Sequence, residues 1–282
     1  MFAEIYKLKS LHKIVYLCKI GKVSSSGYYS WLKNRYRDSR DKILQEEIFK
    51  LQEKHKYRYG YRKITFTINL ISEKKVNKKR IYRIMRENNL LSVIRRRKKW
   101  HGRSEGKAKE NILNREFRSE APNRKLVTDI TEIKLFNRKI YVSVVMDLYN
   151  NEIVSYKIGR YNNLGIVTRT ISNLIDKRRS LLLGSIFHSD QGFQYTNIRT
   201  QNKLNECGII QSMSRKGNPL DNACIENFFG TLKAETIYNK TIKYKSTEHL
   251  INELENWMNY YNTARIQKRL NYLSPIEYKK AM

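Results

Sequence analysis

The segment from Lys139 to Leu148 constrains the fold more than any other part of the chain. Its ten residues, KIYVSVVMDL, are almost wholly apolar and include three valines. A strand with one face in water alternates apolar and polar residues, whereas a continuous apolar run of this length is typical of a strand buried on both faces. The segment therefore predicts a strand within a sheet that is covered on both sides.

Neighbouring segments supply the rest of a predicted sheet. The segment 126–133 is short and rich in β-branched residues, which favours a strand. Asn150-Asn151 provides a turn from the apolar run into a further strand over 153–158. These three strands are predicted to form an antiparallel meander. After the meander, the pattern predicts a helix over 163–177, a strand over 182–187, a helix over 196–207 and a strand over 209–213. This order predicts an α/β domain with a mixed sheet.

A final helix is predicted in the segment 217–235. Asn218-Pro219 interrupts the preceding chain, and Asp221 or Asn222 is available to cap the free amides. Apolar residues then recur at helical spacing and predict a face packed on a core: Ile225, Phe228, Phe229 and Leu232. A second line runs beside that face, made of Glu226, Gly230 and Lys233. It places a carboxylate and a cation at the edge of the core, although a solvated helix face is the alternative.

The front of the chain predicts small helical modules. Helices are predicted over 2–20 with a stop at Gly21, over 27–32 after a serine cap at 24–26, over 38–55, from 59 to 71, and from 77 to 89. Helix–turn–helix spacing fits this order, and so does any small helical bundle. The last of these helices carries several cations, as a helix that enters a DNA groove or follows phosphates would. A solvated basic face is the alternative.

Charge points to a polyanionic partner. The chain has 57 basic and 26 acidic residues, a formal net charge of +31. Nucleic acid is therefore the expected partner. Residues 1–120 hold 33 of the basic and only 12 of the acidic residues, so the front half is expected to be the main binding region. The candidate DNA-contacting cations are Arg62, Lys78, Lys79, Arg80, Arg83, Arg95, Arg96, Arg97 and Lys233. A ribosomal-type protein is the alternative, although acids placed inside strands are not typical of that class.

Other classes of protein fit the sequence badly. The three cysteines, Cys18, Cys207 and Cys224, are too few and too scattered for a disulfide framework or a zinc site, and are expected to be reduced thiols. No run approaches the roughly 18 apolar residues of a membrane span, and the first residues lack a signal-peptide pattern. We therefore expect a cytoplasmic protein without a membrane partner.

Changes in composition and charge along the chain predict four regions. A basic helical, helix–turn–helix-like DNA-binding region covers 1–94, and a polar, basic linker or arm covers 95–122. An α/β core covers 123–240, and a helical C-terminal tail covers 241–282.

Three carboxylates are the candidate chemical centre. Asp129 lies inside an otherwise apolar strand, where an unpaired charge is costly. Asp190 stands at the end of another strand, where open α/β sheets commonly present ligands, and Glu226 lies on a helix beside its apolar face. If they converge, they repel one another unless a cation lies between them, and oxygen donors suit Mg²⁺ or Mn²⁺. Two such ions would serve an in-line phosphoryl transfer. Three unrelated acids are the alternative.

Several motifs around these acids match a known family. They are Val127-Thr128-Asp129-Ile130-Thr131, His188-Ser189-Asp190-Gln191-Gly192 with Tyr195-Thr196, and Asp221-Asn222-Ala223 followed by Glu226, Phe228-Phe229, Leu232-Lys233 and Glu235. Further matches are Tyr59-Gly60-Tyr61-Arg62 with the helix from Asn77, and Tyr260-Tyr261-Asn262, Arg265, Leu270 and Ser274-Pro275. With these motifs the chain resembles, over nearly all of its length, the DDE transposases of bacterial insertion sequences, specifically the second-frame product of the IS-three family. The 35 residues between Asp190 and Glu226 are that family's interval.

The resemblance implies a fold and an activity. The fold is a ribonuclease-H-like mixed sheet flanked by helices, similar to retroviral integrases and preceded by helix–turn–helix-like DNA-binding modules. The activity is cleavage of the ends of the chain's own element and joining of the free 3′-hydroxyl to target DNA. Asp129, Asp190 and Glu226 would hold two ions of Mg²⁺ or Mn²⁺. The expected partners are DNA, further copies of the chain on that DNA, and an upstream-frame protein or a fusion with it. The place of action would be the bacterial nucleoid.

One residue departs from the family pattern. The family has Trp three residues before the first Asp, where this chain has Leu126, and we interpret the position as packing. Glu132, Asp147 and Asp221 are weaker candidates for ligands, since Asp147 is expected to be structural and Asp221 a helix cap. For His188, hydrogen bonding or packing is favoured over assistance at the site.

Two other functions stay open at this point. A metal-dependent nuclease or resolvase of the same fold would hydrolyse DNA without joining it. A non-catalytic DNA-binding regulator would use only the basic half of the chain.

Overall fold

The computed structural model describes residues 1–72, 75–92, 109–135, 137–239 and 242–282, with the backbone alone for 34–40 and 219. The chain divides into two compact units, Met1–Ser92 and Val93–Met282. The finer division predicted at residues 94, 122 and 240 stays a prediction. None of the helices in these described ranges is long and apolar enough to cross a bilayer.

The first unit is helical. Its helices are α1 (Phe2–Leu8), α2 (Ile14–Ile20), α3 (Ser25–Lys54), α4 (Tyr61–Ile71) and α5 (Lys78–Glu87). As predicted, Gly21 ends α2, and the Ser24 side chain caps α3 by accepting from the Gly27 amide at 3.0 Å. The side chain of Asn77 caps α5 in the same way.

The single helix predicted over 2–20 is wrong, because the chain breaks it into α1 and α2. Ile5 of α1 and Cys18 of α2 belong to one buried cluster around Tyr28 of α3. In an unbroken helix these two residues would lie about 20 Å apart along the axis, too far to share one small core. The break therefore lets both helices bury their apolar faces against α3.

The two helices predicted over 27–32 and 38–55 are one continuous helix, α3. The intervening residues 33–37 carry no apolar periodicity, which is why the sequence suggested a gap. They also contain no glycine or proline, so nothing in the backbone ends the helix there. At its far end, Gln52 is buried and donates to the carbonyls of Tyr59 and Leu90 at 2.9 and 2.6 Å, which ties α3 to both ends of the α4–α5 pair.

The second unit is built on one sheet. Its strands are β1 (Lys125–Leu135), β2 (Arg138–Asp147), β3 (Ile153–Gly159), β4 (Ile186–Ser189) and β5 (Ile210–Met213), in the order β3-β2-β1-β4-β5. The first three form the predicted antiparallel meander, and β4 and β5 run parallel to β1. The predicted fold class, a ribonuclease-H-like mixed sheet preceded by helical modules, is confirmed.

Helices cover both faces of the sheet. They are α6 (Leu164–Arg178), α7 (Phe193–Thr196), α8 (Ile198–Asn205), α9 (Ala223–Glu235), α10 (Thr247–Thr263) and α11 (Pro275–Ala281). In β2, Val144 packs in the cluster of α9 and α10, whereas Val145 packs in the cluster of α6 and α8. The strand is thus buried on both faces, as its continuous apolar sequence predicts. Leu126 is fully buried, consistent with a packing position.

Two predicted boundaries in this unit are wrong. The strand predicted over 182–187 begins only at Ile186, because residues 182–185 form a turn in which Gly184 has φ +74°. The helix predicted over 196–207 is divided at Asn197, which is extended. The Asn197 side chain accepts from the Arg199 amide at 3.0 Å and starts α8 anew, a capping role that asparagine favours.

Segments before and after the strands complete the core. Leu113 and Phe117, from the described part of the predicted linker, pack in the cluster of α9 and α10. The C-terminal segment adds α10, whose apolar face belongs to the same cluster through Leu250, Leu254, Trp257, Met258 and Tyr261.

A buried ion pair closes this core behind α9. Glu235, the last residue of α9, accepts from Arg265 at 2.7 Å and from the indole Nε1 of Trp257 at 3.1 Å. The side chains of Arg265 and Glu235 are only 15% and 10% exposed. Removing one partner of such a pair leaves the other buried without compensation.

We expect Arg265→Ala to destabilise the protein by about 3–5 kcal/mol, because it leaves the Glu235 carboxylate buried and unpaired. The measurement is urea unfolding of the full chain, followed by tryptophan fluorescence. Arg160→Ala is the matched control, since it removes an arginine from an ion pair with Glu248 in which both side chains lie in water. Equal unfolding midpoints for the two variants would contradict the structural role of the buried pair.

Candidate active site

Strand pairing brings the first two candidate carboxylates together. In the parallel pair of β1 and β4, Val127 lies opposite His188. Asp129 and Asp190 each follow two residues later, so they emerge at the same level and on the same side of neighbouring strands. Such strands lie about 4.8 Å apart. The two carboxylates therefore face one site at the end of β4.

A side-chain hydrogen bond fixes the start of α9 beside this site. The Nδ2 of Asn222 donates to the carbonyl oxygen of Thr128 at 3.3 Å, one residue before Asp129. Glu226 lies one turn further along, in the first turn of α9, with its side chain exposed. The helix thus presents the third carboxylate toward the first two.

Burial and mutual repulsion perturb these acids. Burial raises the pKa of Asp129 well above its usual value, and the charges of Asp190 and Glu226 raise it further. The Ile130 amide, 2.7 Å from Oδ1, and the Lys233 ammonium act in the opposite direction. Burial of its carboxylate also raises the pKa of Asp190. A positive charge placed among these groups would offset the repulsion.

A glycine holds the Asp190 carboxylate in place. The Gly192 amide donates to Asp190 Oδ1 at 2.9 Å. A Cβ atom at position 192 would lie 2.9 Å from the same oxygen and 3.2 Å from Gln194 Oε1. Only glycine lets the backbone turn this closely around the carboxylate without pushing it aside.

A buried tyrosine supports β1 beneath the site. The Thr128 hydroxyl donates to the Val144 carbonyl at 2.8 Å and lies 3.2 Å from the hydroxyl of Tyr195, which is itself fully buried. Burial raises the pKa of Tyr195 well above its usual value, and the charges of Asp129 and Asp190 add to this, so the phenol stays protonated. Tyr195 thus adds no charge to the site.

His188 is a hydrogen-bonding residue within the sheet. Its Nδ1 lies 2.8 Å from the Ser212 hydroxyl, and its Nε2 lies 3.0 Å from that of Ser214. Burial lowers the pKa of His188 to about 4, so the ring is neutral at pH 7. His188 therefore ties the ends of β4 and β5 together.

Asp221 is not the cap of α9. Asn222 occupies the cap position, while the Asp221 carboxylate is fully buried and accepts from Arg215, Arg115 and Asn111. The Arg215 guanidinium, opposed in part by burial, holds the pKa of Asp221 far below its usual range. Sequence analysis missed both arginines, and no local signal identifies Arg115, which is 106 residues away.

The two other weak candidates, Asp147 and Glu132, have partners within the fold. The Asp147 carboxylate is fully buried and accepts from the amides of Asn123 and Tyr149 at 2.7 and 3.0 Å. Glu132 is paired with Lys139 and accepts from the Tyr141 hydroxyl. Neither acid points to the candidate site.

The three candidate carboxylates are donors of the type that divalent cations prefer. Among the described residues, no three His, Cys, Asp or Glu side chains are grouped closely enough to hold an ion as they stand. Two repelling aspartates with a glutamate facing them nevertheless supply the oxygen donors that Mg²⁺ and Mn²⁺ prefer. The residues fit such an ion by their chemistry.

The predicted DNA-contacting cations occupy different environments. Lys78 and Lys79 are exposed in the first turn of α5, and Arg62 is exposed on α4. Arg80 and Arg83 both donate to Asp41 of α3, so part of their charge is used within the first unit. Lys233 stands on α9, close enough to Asp129 to lower its pKa. Arg95, Arg96 and Arg97 lie outside the described residues.

Family comparisons match most of the chain. The Integrase core domain family matches residues 119–219, a second family of that description matches residues 226–282, and the HTH-like domain family matches residues 38–98.

Two relatives extend the match along the chain. A putative transposase (InsK) of the insertion sequence IS150 from Escherichia coli K12 is 35% identical over 97% of this chain and 95% of its own length. A probable transposase of IS1353 from Shigella flexneri is 31% identical over 94% of this chain but only 52% of its own length. Among solved structures, the catalytic core of HTLV-2 integrase in complex with magnesium is 16% identical, covers 57% of this chain and 99% of its own, and has a TM-score of 0.43.

The match to the IS150 transposase covers nearly the whole length of both proteins and identifies the family of this chain. The chain belongs to the IS150/IS3 family of insertion-sequence transposases, DDE-type enzymes that carry an integrase core domain.

Proposed function

We propose that Asp129, Asp190 and Glu226 are the catalytic carboxylates and that they hold divalent cations during DNA cleavage and strand transfer. The observation that carries this proposal is the convergence at one site of two in-register aspartates and a helix anchored beside them by Asn222. The perturbed pKa of Asp129 is a further sign of a functional site, since repelling carboxylates destabilise the fold that contains them.

The metal would contribute a specific chemistry. Bound by these three residues, two ions of Mg²⁺ or Mn²⁺ would activate a water or a 3′-hydroxyl and stabilise the leaving oxygen of an in-line displacement. The protein itself orients the donors. Gly192 holds Asp190 through its amide, and Tyr195 and Thr128 hold the strand that carries Asp129.

Lys233 is proposed to position a phosphate near the scissile bond. It lies seven residues after Glu226 on α9, about 10.5 Å along the helix axis. The positive charge of Lys233 lowers the pKa of Asp129, so the ammonium group lies near the candidate site. A cation at this distance can bind the DNA backbone without being a metal ligand.

The first unit is proposed to grip DNA by phosphate contacts. Lys78 and Lys79 lie in the first turn of α5, and that turn contains no acidic residue. Cations there oppose the helix dipole, so helix stability does not explain them, whereas phosphate binding does. Arg62, Arg80 and Arg83 are proposed to add to this surface. Arg95, Arg96 and Arg97, which lie outside the described residues, are proposed as further DNA contacts.

The active assembly is proposed to be a homo-oligomer on DNA at the bacterial nucleoid, with an upstream-frame protein or as a fusion with one. The Shigella flexneri relative supports the last point, because this chain accounts for only about half of its length. Sequencing the flanking DNA tests it: an overlapping upstream frame is expected next to terminal inverted repeats.

We expect Asp129→Asn, Asp190→Asn and Glu226→Gln each to abolish cleavage and joining, at least about 10³-fold, because each removes a charged metal ligand. Folding and DNA binding should be nearly unchanged, since almost no volume is lost. The assay is joining of labelled element ends with Mg²⁺ or Mn²⁺. Near-normal turnover in any one variant would exclude that residue as a ligand.

The same assay separates the alternatives. Cleavage without joining would indicate a nuclease or resolvase. DNA binding without any metal-dependent reaction would indicate a regulator.

We expect Gly192→Ala to slow cleavage and joining by about 10–10²-fold, since the new methyl group displaces the Asp190 carboxylate. The rate is measured under single-turnover conditions. Gly60→Ala is the matched control, because a Cβ there meets only the Ser92 hydroxyl at 3.5 Å. If Gly192→Ala joins DNA as fast as this control does, the close packing around Asp190 has no catalytic importance.

We expect Lys233→Ala to reduce binding or joining of element-end DNA several-fold, because a phosphate loses its cation, and Lys233→Arg to be milder. Mn²⁺ affinity, measured by titration, should hardly change. A strong shift in Mn²⁺ affinity with intact binding and joining of end DNA would refute the role.

A further inference from the structure

A buried carboxylate at the start of α9 is paired with two arginines. The Asp221 side chain is fully buried, whereas Arg115 and Arg215 are 41% and 53% exposed. Arg215 donates to Asp221 through its amide, Nε and Nη2 at 3.0, 2.8 and 2.8 Å, and Arg115 donates through Nε at 2.7 Å. One negative charge thus faces two positive charges, and one positive charge remains uncompensated within the cluster.

Both guanidiniums keep donors for a ligand. A guanidinium has five N–H groups. Arg115 uses one of them on Asp221 and Arg215 uses two, and the remaining N–H groups have no acceptor among the residues that the structure describes. Asp221 also accepts from the Asn111 side chain at 3.0 Å, so its oxygens are satisfied without Arg115. Fold stability alone therefore does not require the second arginine.

The position of the cluster suggests which ligand it binds. Asp221 precedes Asn222, the residue that anchors α9 beside Asp129. Glu226 follows five residues later, about 8 Å along the helix. The N-terminal end of α9 adds its own partial positive charge, which favours anions. The charge of Asp221 also acts on His188, two residues before Asp190, so an anion bound here would lie beside the candidate catalytic centre.

Arg115 also lines a basic groove in the catalytic unit. The open groove has a volume of about 1000 Å³, and its other cations are Arg118, Arg124, Lys125 and Arg269. Of its two acids, Glu116 is already paired with Lys125 at 2.9 Å. The Arg269 guanidinium donates to backbone carbonyls, those of Phe117 and Leu148, which leave its charge intact. The groove thus continues the positive surface away from Asp221.

We propose that Arg115 and Arg215, oriented by Asp221, bind one phosphodiester of the DNA strand that lies across the active site. This inference rests on the proposed function of the site. Arginine forks match the oxygens of a phosphate in pairs, which a lysine cannot do. Asp221 is a positioning residue that fixes both forks and does not touch the DNA.

Arg115→Gln is the principal test, because Asp221 keeps the three bonds from Arg215 and the one from Asn111. Binding of the full chain to a fluorescent element-end duplex is measured in EDTA over a range of NaCl concentrations. We expect about 3–10-fold weaker binding and a salt slope reduced by about 0.9, the value for one phosphate. Arg115→Lys should keep the slope but not the full affinity.

Arg160→Gln is the matched control. It removes the same charge from an exposed pair with Glu248 and should leave binding and slope unchanged. Circular dichroism melting confirms that each variant is folded. An affinity and slope for Arg115→Gln equal to those of the wild type, or of Arg160→Gln, would overturn the inference.

Neutral phosphates locate the contact. In duplexes with a methylphosphonate at one position at a time, the wild type should lose affinity most strongly at one position near the cleaved end. Arg115→Gln and Asp221→Asn should be insensitive at that position, although Asp221→Asn makes the cluster more positive. If Asp221→Asn instead binds all duplexes more tightly and keeps the position effect, Asp221 only neutralises charge and does not orient the forks.

These binding tests stand apart from catalysis because they contain no metal. If the wild type joins DNA but the arginine variants bind DNA with unchanged affinity and salt slope, only the phosphate site is refuted. The expected binding losses together with an absence of joining by the wild type would refute only the proposed function.

Discussion

Parallel hydrogen bonding between β1 and β4 sets Val127 opposite His188, and the candidate active site depends on this pairing. Two residues later in each case, Asp129 on β1 and Asp190 at the end of β4 stand side by side, where their charges repel. The pairing is stable because the sheet has a core on each face: Val127 packs in one, and Leu126 and Phe187 in the other. The core therefore offsets a repulsion that the Ile130 amide and the Lys233 ammonium oppose only in part, since the pKa of Asp129 remains raised.

Helix α9 connects this repulsion to the rest of the catalytic unit. Its apolar face, including Phe228 and Leu232, is held in the core with α10. Its last residue, Glu235, is fixed by Arg265 and Trp257, while Asn222 fixes its beginning to β1. A helix held at both ends keeps its exposed face at a constant distance from the strands. The C-terminal motif that contains Arg265 is thus structural, since it supports from behind the helix that carries Glu226.

Charge in the chain has two different uses. Arg80 and Arg83 join α5 to α3 through Asp41, and Arg265, which follows α10, pairs with Glu235 at the end of α9. These arginines therefore have partners within the fold and are not simply surface charges. Around Asp221 the two arginines exceed what one carboxylate requires, and the excess lies at the edge of the candidate site. The net charge of +31 therefore overstates the number of cations available to DNA, and the location of each cation decides its role.

The sequence by itself determined the strands of the sheet, the helix that follows them and the three candidate carboxylates. Strands and helices differ in the period of their apolar residues, so local patterns predicted β1, β2, β3 and the buried face of α9. The motifs around Asp129, Asp190 and Glu226 matched a family, but only the β1–β4 pairing shows that the two aspartates lie side by side. Local patterns failed where distant packing decides, as at the break between α1 and α2, which both pack against Tyr28. They also assigned Asp221 to a cap, because nothing near it in sequence announces Arg115. A charged side chain takes its partner from the path of the whole chain, and only the tertiary structure decides that path.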